Sequence, residues 1–254
     1  MRLRTFLSAL AVTLFAAVSV VAQQNPGTLA ALEFQKPKSG MASQYEDGRK
    51  QKAAWHKQQN DPQALMVWET LSGDNTGTYI VGRLGQHWSD FDKPAITDEA
   101  DVAEFQKVLG NYVDSIVGRY YDFMPKISNP DGSTTPSKFA EIITFHVRYG
   151  KGSDFRSALT RIYDAAQKTK WPLRYEWYAL ANGGDTGTWV LVLPRAKWAD
   201  FEEKPDVKPF RDMLKDAFGQ AEADSIVDRI DSSVQSETTE IIQFRPDLSY
   251  LPGK

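Results

Sequence analysis

Two spacings of apolar residues alternate along this chain. From Ala140 to Val147 the residues are mostly β-branched or aromatic, the composition of a strand. Phe155, Leu159, Ile162, Tyr163 and Ala166 then recur at helical spacing, with Ser153 or Asp154 placed to cap the start. Leu173 to Leu180 alternates with a period of two and puts Leu173, Tyr175, Trp177 and Ala179 on one face. Asn182-Gly183-Gly184-Asp185 is turn chemistry, and Thr188 to Leu193 is the returning strand of a hairpin. A second helical region opens near Val207 with Phe210, Met213, Leu214 and Phe218 on its buried face, and Glu237 to Phe244 closes as a strand.

The first half follows the same order. It predicts strands at 29–35, 64–71 and 76–84, a helix at 43–58, a second helix over 98–119 and a last strand around 120–127. The helix over 98–119 carries the longest apolar stripe, Val102, Phe105, Leu109, Tyr112, Val113, Ile116 and Val117, with Thr97 as its N-cap. Each half therefore reads β-α-β-β-α-β, the ferredoxin-like unit.

The halves also resemble each other in sequence. "TGTYIVGRLGQHWSDFDKP" (76–94) returns as "TGTWVLVLPRAKWADFEEKP" (186–205), 110 residues later. Trp68 precedes the first copy as Trp177 precedes the second. "DSIVGR" (114–119) matches "DSIVDR" (224–229), Pro125 and Ser128 pair with Pro246 and Ser249, and Ala31–Gly40 can be laid over Ile142–Gly152 with a small shift. The Pro-, Gly- and Ser-containing stretch between the copies reads as a linker. The expected organisation is a leader at 1–22, a first unit at 23–128, a linker at 129–138 and a second unit at 139–254.

A ferredoxin-like sheet carries helices on one face only, so its other face needs a cover, and a second unit supplies one. On this element order and duplication the chain resembles the dimeric α/β-barrel superfamily, with both units fused in one chain. The resemblance implies an α+β fold of tandem ferredoxin-like units packed sheet to sheet as a pseudo-dimeric barrel, and a monomer. It covers Leu29 to Tyr250. Members of that superfamily include cofactor-independent monooxygenases and haem-handling proteins.

Composition narrows the function classes. Arg2 and Arg4 precede an apolar run from Phe6 to Val21, and Val20-Val21-Ala22 fits a signal-peptidase site. The expectation is a leader cleaved near Ala22, a periplasmic or secreted mature chain and no stable membrane insertion after cleavage. Losing Arg2 and Arg4 takes the formal charge from −3 to −5, which speaks against a nucleic-acid partner. There is no Cys, so disulfides, thiolate metal sites and Cys nucleophiles are excluded.

Candidate chemistry is sparse. No Ser-His-Asp order, P-loop or dinucleotide fingerprint is present. The three histidines lack repeat partners, and none has zinc-site spacing, so no metal site is expected. His146, within a strand, ranks first as a catalytic candidate and His87 second; His56, on a Lys-rich helix, reads as a surface residue. The hairpin aromatics Trp68, Tyr175, Trp177 and Trp189 either fill a core or line a ligand cavity. Arg174 and Glu176 alternate with the Tyr175 face and form either a solvent pair or a buried polar site. The repeated Thr-Gly-Thr reads as a hairpin, and the Asp of each Trp-x-Asp-Phe as a turn cap.

Three function classes stay open. The first is a binding protein that holds a small apolar or aromatic ligand between the sheets, with no cofactor. The second is a cofactor-independent monooxygenase or haem-handling enzyme acting through His146 or His87. The third is a cell-envelope interaction protein with a filled core.

Overall fold

A computed structural model describes residues 27–253 other than 134, 203 and 204; the expected leader lies outside the described residues. The first half contributes β1 (Leu29–Pro37), α1 (Ala42–Gln58), β2 (Met66–Thr70), β3 (Tyr79–Gln86), α2 (Asp98–Val108) and β4 (Val113–Phe123). The second contributes β5 (Phe139–Val147), α3 (Gly152–Thr169), β6 (Glu176–Asn182), β7 (Thr188–Arg195), α4 (Phe210–Phe218), α5 (Gln220–Ser233) and β8 (Val234–Phe244).

The strands form one closed antiparallel barrel in the order β1-β3-β2-β8-β5-β7-β6-β4. Each half supplies four neighbouring strands, and the edges of one sheet pair with those of the other. Trp68 to Thr70 lie opposite Phe244 to Ile242, and Tyr121 to Phe123 lie opposite Leu180 to Tyr178. Closure leaves no open sheet edge, which removes the hazard of unpaired strand backbone. The hairpin turns occupy the same place in each half: Gly77 and Gly187 have φ of 79° and 86°, which favour glycine.

The pseudo-twofold extends to single hydrogen bonds. Ser128 Oγ accepts from the Trp177 amide (2.8 Å), and its mate Ser249 Oγ accepts from the Val67 amide (2.9 Å). Asn129 and Tyr175 form an isolated bridge in one half; Tyr250 and Leu65 form its counterpart.

Helices cover the outside of the barrel. Phe155 and Leu159 of α3 pack on Tyr175, Trp177, Trp189 and Leu193, while Met213, Leu214, Ile226 and Val227 bury the far flank of α3 under α4 and α5. Under α1 and α2 the cluster is Tyr45, Val67, Tyr79, Val81, Val108 and Leu109. Among the described residues no helix is long and apolar enough to cross a membrane.

Two sequence expectations are corrected. The helix expected over 98–119 ends at Val108, and 113–123 is strand β4, paired with β1 along its whole length. Val113, Ile116, Val117, Tyr120 and Tyr121 are β-branched or aromatic, so their spacing imitates a helical stripe while their stereochemistry favours a strand. Ile116 and Val117 are about half exposed rather than core (44% and 45%). The "DSIVGR"/"DSIVDR" match is consequently not structural: the first lies in β4 and the second in α5. The true mate of β4 is β8, 121 residues on, because α4 and α5 insert 11 residues into the second half. The second correction concerns His56, which is buried (1% exposed). It faces the sheet together with Tyr45, Gly48, Arg49 and Lys52.

Candidate functional site

Each strand has one face toward the barrel axis, and the facing residues do not fill the interior. A cavity of about 410 Å³ remains. That is within the range of small-molecule sites, and eight-stranded barrels are wide enough to hold one such ligand. Leu32 and Phe34 of β1, Met66 and Trp68 of β2, Ile80 of β3, Ile142 of β5, Val192 of β7 and Ile242 of β8 make the apolar wall.

The polar groups on this wall come mainly from β4, β6 and β8. Tyr178 Oη donates to Glu176 Oε2 (2.7 Å). Burial, reinforced by the Glu176 charge, holds the Tyr178 hydroxyl far above its ordinary pKa, so it is a donor at any physiological pH. Arg119 places its guanidinium carbon 5.0 Å from the centre of the Phe34 ring. Its Nη1 reaches Tyr121 Oη at 3.5 Å, and its Nε is buried without an acceptor. Glu240 accepts from the Asn75 amide at the hairpin between β2 and β3.

His146 lines the cavity, opposite Thr188 on one side and Ser236 on the other. His87 does not. It is exposed and precedes the 3₁₀ turn Trp88–Asp92, where its amide donates to Asp90 Oδ2 (2.7 Å). Asp200 plays the same part in the second copy, accepting from the Ala196 and Lys197 amides (3.0 and 3.2 Å).

Of the four aromatic candidates the structure brings only Trp68 to the cavity. Tyr175, Trp177 and Trp189 face outward and fill the layer under α3, with Phe155 ring centroids 6.0 Å from Trp177 and 5.6 Å from Trp189. The alternation seen in the sequence was real, but the opposite face of β6, with Glu176, Tyr178 and Leu180, is the one turned inward. Arg174 lies outside the cavity and donates to Asn129 Oδ1 (3.0 Å).

Arg119, Tyr178 and Glu240 were not among the sequence candidates, and Glu176 was named only with Arg174, as a solvent pair or a buried polar site; it lies on the cavity wall. A signal for them exists once the mates are aligned correctly. Several mates under the helices are alike, since Val67 and Trp177, Tyr79 and Trp189, Tyr45 and Phe155 are all buried packing residues. On the cavity wall Ala30 and Ala140, Leu32 and Ile142, Ile80 and Val190 are alike, whereas Met66 and Glu176, Phe34 and Thr144, Arg119 and Glu240 differ. The signal is a polar or oppositely charged mate at a wall position.

No cluster of three metal-ligating side chains occurs among the described residues. His146 on this wall makes no side-chain hydrogen bond among the described residues. Four carboxylates, Glu176, Glu240, Asp131 and Asp185, line the cavity beside the guanidinium of Arg119.

No family model and no curated protein matches the sequence. Solved structures do match. A monooxygenase-like protein of Lactobacillus acidophilus aligns over 89% of this chain and 96% of its own, at 9% identity and a TM-score of 0.53. An anthrone oxidase-like protein aligns over 89% and 94% at 12% identity and 0.52. A chlorite-dismutase-like protein aligns over 87% and 96% at 8% identity and 0.50. At such identities the likeness is one of fold. The closed eight-stranded barrel, with a βαββ-helical-β order in each half, is the fold of dimeric α/β-barrel proteins, both units being carried in one chain.

Proposed function

We propose that the protein is an exported small-molecule-binding protein whose ligand sits inside the barrel. The observation that carries this reading is the cavity itself, which the two halves of a duplicated scaffold enclose with a mixed apolar and polar lining. A ligand's apolar or aromatic part would lie against Phe34, Trp68, Ile80 and Ile142, with its polar atoms toward Arg119, the Glu176–Tyr178 pair and Glu240. Export rests on the leader read at 1–22.

The test is saturable binding of a small neutral aromatic such as indole, followed by calorimetry. An Ile142→Trp variant, which places a ring in the cavity, should abolish binding while unfolding stays cooperative. No saturable uptake by the wild-type protein would sink the reading. Export is checked by the mass of the product recovered outside the cytoplasm, expected to begin near Gln23.

Cofactor-independent oxygenation is the second reading, and the location of His146 on the cavity wall favours it. It requires oxygen consumption with a bound aromatic that is lost in His146→Ala; unchanged turnover in that variant would remove it.

A further inference from the structure

We infer that the cavity takes a primary amine with an aromatic body, its ammonium held at the Glu176 carboxylate. This rests on the binding reading above and names the ligand class and the end of the cavity that recognises it.

The two ends of the cavity differ in charge. The strand order repeats in the same sense, β1-β3-β2-β8 and then β5-β7-β6-β4, so the pseudo-twofold lies along the barrel axis and both hairpins stand at one end. Arg119 is at that end: a side chain at Gly183 would come within 3.0 Å of its Cα, and one at Gly184 within 3.7 Å of its Nε. Glu240, which accepts from Asn75, is there too, as are Asp185 and His146, the latter opposite Thr188. Glu176 opens β6 at the other end, and from Glu176 to Gly183 the chain covers roughly 20 Å. The linker residues Asp131 and Ser133 line the cavity as well, whereas the two basic lining residues, Arg119 and His146, both belong to the hairpin end.

Glu176 is half-buried, accepts one hydrogen bond, from Tyr178 Oη (2.7 Å), and has no ion-pair partner among the described residues. Its strand neighbour on the wall is Val192, and its mate under the duplication is Met66, so the carboxylate stands where the other half is apolar. A carboxylate withdrawn from water without a cation is costly, and an ammonium would offset that with opposite charge and charge-assisted hydrogen bonds. Tyr178 Oη, its proton given to Glu176, keeps lone pairs for a further ammonium N–H.

The ring has a place beside this group. Trp68 and Tyr178 are mates, so they face each other across the axis at one level, each two residues along its strand from Met66 or Glu176. An aromatic body between them directs a short alkylamine to Glu176. A neutral ligand leaves that carboxylate unpaired, and an anionic one is repelled by it.

The test compares tryptamine with tryptophol, its neutral hydroxyl counterpart, and with indole-3-acetate by calorimetry at pH 7. Tryptamine should bind about tenfold more tightly than either. In Glu176→Gln the ratio of tryptamine to tryptophol affinity should fall to about one; tryptophol measured on the same variant reports any damage to the cavity, and a circular dichroism melt its folding. Independently of any variant, carbodiimide coupling of bound tryptamine to the wild-type chain should mark the peptide that holds Glu176. Equal binding of tryptamine and tryptophol, tighter binding of indole-3-acetate, or a coupling mark on Glu240 instead overturns the inference while the binding reading stands. If none of the three binds and indole does not either, the binding reading fails and takes the inference with it.

Discussion

Helices α1 and α3 are mates, yet they bury opposite kinds of side chain. α3 presents Phe155, Ala158, Leu159, Ala165 and Ala166 inward, whereas α1 presents Tyr45, Gly48, Arg49, Lys52 and His56. Residue for residue, Phe155 stands for Tyr45, Leu159 for Arg49 and Ala166 for His56. The burial is equally deep: Arg49 and Lys52 are 2% exposed and Phe155 is 0%.

The difference follows from what each helix meets. α3 has α4 and α5 along its flank, so apolar residues are covered on two sides. α1 has only α2, whose Asp101 accepts from Lys52 Nζ through its carbonyl (2.8 Å) and its carboxylate (3.0 Å). His56 Nδ1 lies 2.9 Å from Asp61 Oδ2, which also accepts from Arg83 Nη2 (2.9 Å). Buried charges persist where partners are complete. Lys52 has such partners, but His56 leaves Nε2, and Arg49 leaves Nε and Nη2, without any.

The largest expected break in the comparison is Phe155→Ala. It opens a cavity beneath α3 and should cost about 3–5 kcal/mol in denaturant unfolding. Its mate Tyr45→Phe removes only the hydroxyl that donates to Gln35 Oε1 (2.7 Å) and should cost about 1 kcal/mol. Equal losses would show that the two helices are held alike.

Acid should separate the halves next. Burial, then the Lys52 charge, lowers the His56 pKa from its ordinary 6.5 to about 4. The folded state therefore refuses a proton that the unfolded chain accepts. Stability falls as pH drops through about 6.5 and levels off near pH 4, at a cost of up to about 2 kcal/mol between pH 7 and 5. Burial raises the Asp61 carboxyl, but the Arg83 hydrogen bond and the Gln63 amide more than offset this, so Asp61 stays ionised in that window. In His56→Leu the slope should flatten; an unchanged slope would place the titration elsewhere.

Arg49→Leu gives α1 the residue that α3 has. Removing a buried cation with unpartnered N–H groups should leave stability unchanged or raise it by about 1 kcal/mol, read as a higher Tm. A marked loss would mean that Arg49 is satisfied in solution. A similarly small effect is expected from Gly118→Asp, which turns "DSIVGR" into "DSIVDR". Nothing lies within 4 Å of a Cβ at Gly118, and its strand neighbour is Glu33, so the cost should stay near 1 kcal/mol of like-charge contact. Unchanged circular dichroism would show that β4 remains a strand with the helical copy's sequence.

That hexapeptide marks the limit of what was legible. Thr-Gly-Thr, Trp-x-Asp-Phe and the Pro125/Pro246 and Ser128/Ser249 pairs all occupy equivalent places. The first two are turns decided by nearby backbone, and the serines keep their place because each accepts from the equivalent amide of the opposite half, Trp177 or Val67. "DSIVGR" and "DSIVDR" part because β4 is paired with β1, while the second copy follows Gly219 (φ 86°) into α5 and buries Ile226 and Val227 against its helical neighbours. His56 was misread because its helix is polar on its inner face, and the partners that make this tolerable, Asp61 apart, lie far along the chain.

The sequence by itself determined the order of elements, the duplication and the turns, since these depend on residues within a few positions of each other. The tertiary structure decided which face of β6 looks into the cavity, which half of the duplication tolerates buried charge, and that Arg119 and Glu240 stand on matching sides of one wall. A period of two gives a strand two faces but does not say which will be covered by a helix and which will enclose a space. That choice is made by the elements packed on each side, and only the closed barrel brings them together.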